Sequence, residues 1–171
     1  KDDGLAALEV PYLKDLVDHC EFDTIYHEHL CYFSVTALDK LFRRHKLFLN
    51  DIKRLPIHGG SLRLYIEKVE SPSPRLKEIM AEERTLGVDT FGYYQDFARR
   101  VQAIREDLRR LIEGFRSDGK RIAAYGAAAK GNTLMNFAGC RRDLLPCVVD
   151  RNPAKQGKYL PGSRIPIVGE E

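Results

Sequence analysis

Apolar and polar residues alternate with different periods along this chain, and each period predicts a different element. Residues 5–10, LAALEV, make a short apolar run that stops before Pro11, which favours extended backbone around it; the run predicts a strand. Farther on, Leu38, Leu41 and Phe42 fall at helical spacing, and Ser34 or Thr36 stands where a cap is needed, so a helix is predicted through Ala37–His45. Phe48–Leu55 and Leu62–Val69 then take on a strand texture. In the second of these, Leu62, Leu64 and Ile66 alternate with Arg63, Tyr65 and Glu67, the period of a half-buried strand. IHGGS joins the two runs and carries a hairpin signal in its paired glycines.

SPSP, Ser71–Pro74, interrupts this pattern and marks a boundary. Two helical stretches follow. The longer one sets Phe91, Tyr94, Phe97, Val101, Ile104, Leu108, Leu111, Ile112 and Phe115 at three- and four-residue steps and ends near Gly119. With ARR, RED and RR on its other face, it predicts an amphipathic helix that covers a core and keeps a solvated charged side. Then the texture changes. KRIAAYG predicts a strand ending in Gly126, AAAKG a small-residue loop, NTLMNFAG a short helix, and LLPCVVD a second strand ending in Asp150. That order is a βαβ unit, and it places the chain in the α/β class.

Composition narrows the picture without changing it. The 171 residues fit one domain or one and a half, with 43% hydrophobic and 31% charged residues, a soluble globular balance. A formal charge of +3 with no dense basic block argues against nucleic acid as partner and fits local help for a small anion. Cys20, Cys31, Cys140 and Cys147 follow neither a CxxC nor a secreted-framework spacing, so reduced thiols in a cytoplasm are expected. No apolar run reaches membrane-spanning length and no signal peptide opens the chain. The opening KDDG and the closing IPIVGEE are expected to be cuts inside a longer protein.

Two places carry candidate chemistry. GAAAKGNT sets Gly126 and Gly131 between a strand and a helix, where small residues admit a ligand close to the backbone and a helix N-terminus offers N–H groups to an anion. Asp150 ends the next strand, about where a Rossmann unit puts the carboxylate that reads a ribose hydroxyl, and Lys130 adds a positive charge. The loop is not GxGxxG, and Asn132 stands where a P-loop needs lysine, so a nucleotide or nucleotide-sugar phosphate is expected rather than ATP or GTP hydrolysis; tight strand–helix packing with no ligand is the competing reading. The other place is YHEH. Tyr26, His27, Glu28 and His29 are four proton-active side chains in a row, which suits proton transfer, a metal site joined by His58 or Cys31, or buried histidines at a domain seam. In an extended segment His27 and His29 would share one face; in a turn or helix they would not.

EVPYL, EFDTIYHEHLCYFS, RLPIHGGSLRLYI, AYGAAAKGNTLMN and VVDRNPAKQGKYLPGSRIPI resemble the S-adenosylmethionine-dependent sugar C-methyltransferases of deoxysugar biosynthesis, whose best-known members methylate C3 of dTDP-linked 4-keto-deoxysugars. The resemblance spans nearly the whole chain. It implies the last strands of a truncated methyltransferase domain with the YHEH motif and hairpin over 1–70, a helical connection over 71–118, and a truncated Rossmann-like nucleotide-sugar domain over 119–171. It implies His29 as the base that forms an enolate beside a ketone, with Glu28 and Tyr26 supporting it and His27 structural. It also implies His58, Gly59, Gly60 and Ser61 as substrate-positioning, Gly126, Ala127, Lys130, Gly131 and Asn132 as diphosphate contacts, and Asp150, Arg151 and Asn152 along the same cleft. S-adenosylmethionine would be bound mainly by an absent N-terminal part. Zinc would belong only to an absent N-terminal domain, with no metal here. Two rival readings stay open, a non-catalytic Rossmann-like nucleotide or NAD module and a metal-dependent enzyme using both histidines of HEH.

Overall fold

Leu62, Leu64 and Ile66 project from one side of one strand, and that strand is the centre of a sheet. The computed structural model describes residues 4–170. The chain divides into two units, one holding the residues up to Phe22 with Leu30–Ala98, the other Asp23–His29 with Arg99–Glu171. In the first, β1 (Ala6–Pro11), β2 (Phe48–Leu55) and β3 (Ser61–Glu67) form an antiparallel sheet in the order β1-β3-β2. Leu64 lies opposite Leu8 on one side and Ile52 on the other. The alternating apolar face is buried with Leu38 of α2 (Val35–Arg44) and Leu76 and Ile79 of α3 (Pro74–Leu86). Each such side chain contributes about 1.5–3 kcal/mol when fully buried.

The hairpin between β2 and β3 and the SPSP break are both fixed by side chains. The β2–β3 register slips between Leu49 and Asp51. Asn50 sits at the slip, donates to Glu67 Oε2 at 2.6 Å and to the Val69 carbonyl at 2.8 Å, and accepts from the Ser71 N–H at 2.7 Å. Ser73 then caps α3, accepting from the Leu76 N–H at 3.2 Å and donating to Asp51 Oδ1 at 2.6 Å, with Pro74 in the first turn. The expected connection over 71–118 does not stand apart: α3 packs in the first unit, and α4 (Phe97–Ser117) runs almost wholly in the second. Phe91–Tyr94 is a separate 3-10 turn ahead of α4, so the long helix starts later than the apolar spacing predicts.

The second unit carries a parallel sheet of β4 (Ala124–Tyr125), β5 (Val148–Val149) and β6 (Ile167–Val168), in that order. α5 (Ala129–Phe137) makes the crossover from β4 to β5. The strands are much shorter than KRIAAYG and LLPCVVD predict. Ile112 of α4 packs with Val148, Ile165 and Ile167 in this core, with Leu108 beside it. Arg109, one residue farther round α4, donates to the Ala138 carbonyl at 3.0 Å, satisfying the C-terminal end of α5. The apolar face of α4 does not wholly cover a core as its spacing predicts, for Ile104, Leu111 and Phe115 are exposed.

One buried carboxylate organises the first unit. Glu83, on α3, is 1% exposed. It accepts from the Tyr12 hydroxyl at 3.0 Å, the Val35 N–H at 2.7 Å, the Thr36 N–H at 2.7 Å and the Thr36 hydroxyl at 2.6 Å. Val35 and Thr36 open α2, whose cap Ser34 accepts from the Ala37 N–H at 3.1 Å. The carboxylate thus satisfies the free donors of a helix N-terminus from another helix. Burial, then the Glu83 charge, push the Tyr12 hydroxyl above its ordinary pKa, which favours the protonated donor. Glu83→Ala strands these donors in the interior and is expected to cost about 3–5 kcal/mol in urea unfolding. Glu83→Gln, which keeps one acceptor oxygen but turns an NH2 towards N–H groups, is expected to fall between.

Candidate functional site

The YHEH segment is a turn. After the 3-10 turn Phe22–Thr24, the His29 N–H donates to the Tyr26 carbonyl at 3.0 Å. The shared face that an extended segment would give His27 and His29 therefore does not arise. Tyr26 instead stands edge-on to both rings, 4.9 Å from His29 and 5.9 Å from His27 between centroids. Tyr26 and His29 are half-buried, while His27 and Glu28 are exposed. The arrangement gives His29 an aromatic wall and leaves Glu28 at the solvent side. Among the described residues no three His, Cys, Asp or Glu side chains gather as a metal site.

His58, Gly59, Gly60 and Ser61 lie in the first unit, at the tip of the β2–β3 hairpin. His58, Gly59 and Gly60 all have positive φ, at 54°, 88° and 140°. A Cβ on Gly59 would collide with the Glu21 carboxylate, and one on Gly60 with that of Asp15. The glycines are needed because the backbone turns left-handed while pressed against two acidic side chains. Arg54 pairs with the same Asp15, and the buried Ser61 hydroxyl donates to the Ile57 carbonyl at 3.2 Å. His58 is exposed at the tip.

The remaining candidates meet at the carboxyl ends of the parallel strands, where open α/β sheets bind ligands. Gly126 follows β4 with φ 93°, and a Cβ there would meet open space. Ala128, the N-cap of α5, has no side-chain oxygen for the first-turn N–H groups. Lys130, Gly131 and Asn132 form that first turn, half-buried. Asp150 follows β5, but it faces the loop rather than the outside. Its Oδ2 accepts from the Ala127 N–H at 2.7 Å and from Lys155 Nζ at 3.1 Å, and its Oδ1 from the Asn152 N–H at 2.8 Å. Lys155 also donates to the Ala127 carbonyl at 2.9 Å. Arg151 and Asn152 are exposed, and Arg151 pairs with Glu170 at 2.6 Å. A cleft of about 600 Å³ opens past β6, bordered by Arg151, Gln156, Val168, Gly169 and Glu170; of the candidates, Arg151 lines it and the glycine loop does not.

Residues 56–171 match the family described as the C-methyltransferase C-terminal domain. The chain belongs to the C-methyltransferase family. A curated relative, the C-methyltransferase NovU of Streptomyces niveus, is 40% identical over 99% of this chain. The chain spans 41% of that relative's length. The family match covers the glycine loop, the HGGS hairpin tip and the Asp150 turn of this C-methyltransferase domain, while YHEH falls ahead of it.

Lys155 and Gln156 escape a reading of the sequence alone, although both hold the turn after β5. Gln156 donates to the Asp150 carbonyl at 2.9 Å. The available signal is their position five and six residues beyond a strand-ending aspartate in DRNPAKQ. The N–H groups of Asn152 and Ala127, and then Lys155, hold the Asp150 carboxyl below its usual range. A carboxyl with a depressed folded-state pKa stabilises the fold above its unfolded value, and that contribution fades as pH falls through the folded value. Asp150→Asn is expected to flatten the acid limb of the stability curve below about pH 4 and to speed amide exchange at Ala127 and Asn152. Unchanged exchange at both amides would remove the latch.

Proposed function

We propose that this chain is the substrate-side part of an S-adenosylmethionine-dependent C-methyltransferase acting on the carbon beside a ketone of a nucleotide-linked deoxysugar. His29 is the general base, Tyr26 sets its ring, and Glu28 supports the charge it acquires. The observation that carries the reading is the Tyr26–His29 turn, a half-buried imidazole packed edge-on against a tyrosine, in the same unit as the glycine loop of a C-methyltransferase domain. Abstracting a proton from a carbon next to a carbonyl needs a positioned side-chain base, and a histidine ring nitrogen can take that role. Support for the enolate comes from donors aimed at the ketone oxygen.

In this reading the second unit is a Rossmann-like nucleotide-sugar domain. The Gly126–Asn132 loop and the uncapped first turn of α5 receive the diphosphate, with Lys130 contributing charge. Arg151 borders the cleft, Asn152 holds Asp150 through its N–H, and Asp150 acts by shaping the loop. His58–Ser61 of the first unit are proposed as substrate-positioning residues, and β1 of that unit is a sheet edge with Leu5 and Leu8 exposed. S-adenosylmethionine supplies the methyl group when bound. The described residues do not build its site: the strand-ending acid that would read a ribose is engaged with Ala127, Asn152 and Lys155. The same engagement weighs against an NAD module.

His29→Asn in the longer enzyme is expected to abolish solvent deuterium exchange at the carbon beside the ketone while leaving dTDP affinity within about twofold of the parent, since the change keeps a polar, hydrogen-bonding side chain and adds no charge. Exchange that persists would end the base assignment. In calorimetry on this chain, dTDP or UDP is expected to bind and NAD is not.

A further inference from the structure

A cleft of about 330 Å³ lies at the opposite end of the parallel sheet from the glycine loop. Its cationic rim is Arg116, from the last turn of α4, with Lys120 and Arg121 from the loop leading to β4. Its floor includes Ile122 and Leu144, which also pack on the core of the second unit, and Pro146. Residues 120–123 precede β4 and Gly126 follows it, so cleft and glycine loop are separated by the strand, on the order of 10 Å at 3.3 Å per residue.

The charge balance of this cleft is one-sided. Arg116, Lys120 and Arg121 pair with no carboxylate among the described residues. Glu113, one turn back on α4, is engaged by Arg109 at 3.0 Å. Asp118 and Asp143, close in sequence, are not part of the lining. Cations gathered around one concavity repel one another, and an anion with two or more charges relieves that repulsion. Guanidinium forks match phosphate oxygens, and the apolar floor removes a flat organic body from water. We propose that this cleft is a second binding site, for a phosphorylated small molecule carrying an apolar or aromatic body. It does not depend on the proposed methyl transfer.

Cys147 lies in the lining and is half-buried, which makes it a reporter. Cys140 is fully buried, and burial pushes its thiol up, so it reacts slowly. With Cys20→Ser and Cys31→Ser in the intact protein, the rate of aromatic disulfide (DTNB) attack by the Cys147 thiolate, read by the released thiolate, reports on the cleft. Phenyl phosphate is expected to slow this reaction saturably, and more strongly than inorganic phosphate or benzoate. Arg116→Ser with Arg121→Ser, both exposed positions, is expected to weaken that protection by about tenfold or more, with the far-ultraviolet circular dichroism of the parent. Equal protection by benzoate would overturn the phosphate assignment, equal protection by inorganic phosphate would overturn the role of the floor, and no protection by any probe would overturn the site. Should the double variant lose its fold, the salt dependence of protection decides: protection by phenyl phosphate that is unchanged between low and high salt would overturn the cationic site, and protection that falls with salt supports it.

Discussion

A carboxylate placed where water cannot reach it sets the arrangement of the first unit. Burying Glu83 costs several kcal/mol, and the cost is offset only because four donors converge on it. Those donors come from the end of β1 and the start of α2, while the carboxylate comes from α3. Strand, helix and helix can therefore pack in one way that leaves no donor stranded. Tyr12 extends the constraint. Its hydroxyl serves Glu83, and its backbone N–H donates to the Gly60 carbonyl at 3.1 Å, so the same residue secures the hairpin tip. The left-handed backbone of His58–Gly60 follows from that position, pressed against Asp15 and Glu21.

The second unit uses a different device with a similar logic. Its strands pair over only two residues each, so the sheet alone is a small source of order. Side-chain bonds to backbone make up the difference. Asp150 and Lys155 together occupy both the N–H and the carbonyl of Ala127, and Arg109 closes the far end of α5. The crossover helix is thus tied at both ends. Its N-terminus has no side-chain cap of its own, and it is the end that follows the Gly126 loop.

Much of the local structure was legible from residue order, for physical reasons that can be named. The alternation of Leu62, Leu64 and Ile66 encodes its own burial, and Ser34 announces a helix start through its capping oxygen; SPSP was readable as a boundary, but not Ser73 as the cap of α3. Long-range polar contacts were not legible. Glu83 stands in AEER, which reads as a solvated helix face, and its partner Val35 is 48 residues away. The length of β4 was hidden because apolar KRIAAYG also suits a loop that rests on a core. YHEH left turn and strand equally open, since neither its apolar pattern nor any glycine or proline distinguishes them. Asp150 was readable as a strand-ending acid, but the direction of its carboxylate depended on Ala127 and Lys155, which no periodicity reveals.

The Asp150–Lys155 clasp on Ala127 has an entropic side. Ordering side chains and loops at the moment of association costs roughly 0.5–1.5 kcal/mol per immobilised side chain. Here the loop between β4 and α5 is held by its own protein, so that ordering is completed during folding. The diphosphate proposed for this loop would meet backbone already in place. Its arrival rate would then be governed by diffusion and long-range charge rather than by waiting for a loop to close, and its affinity would reflect the contacts themselves.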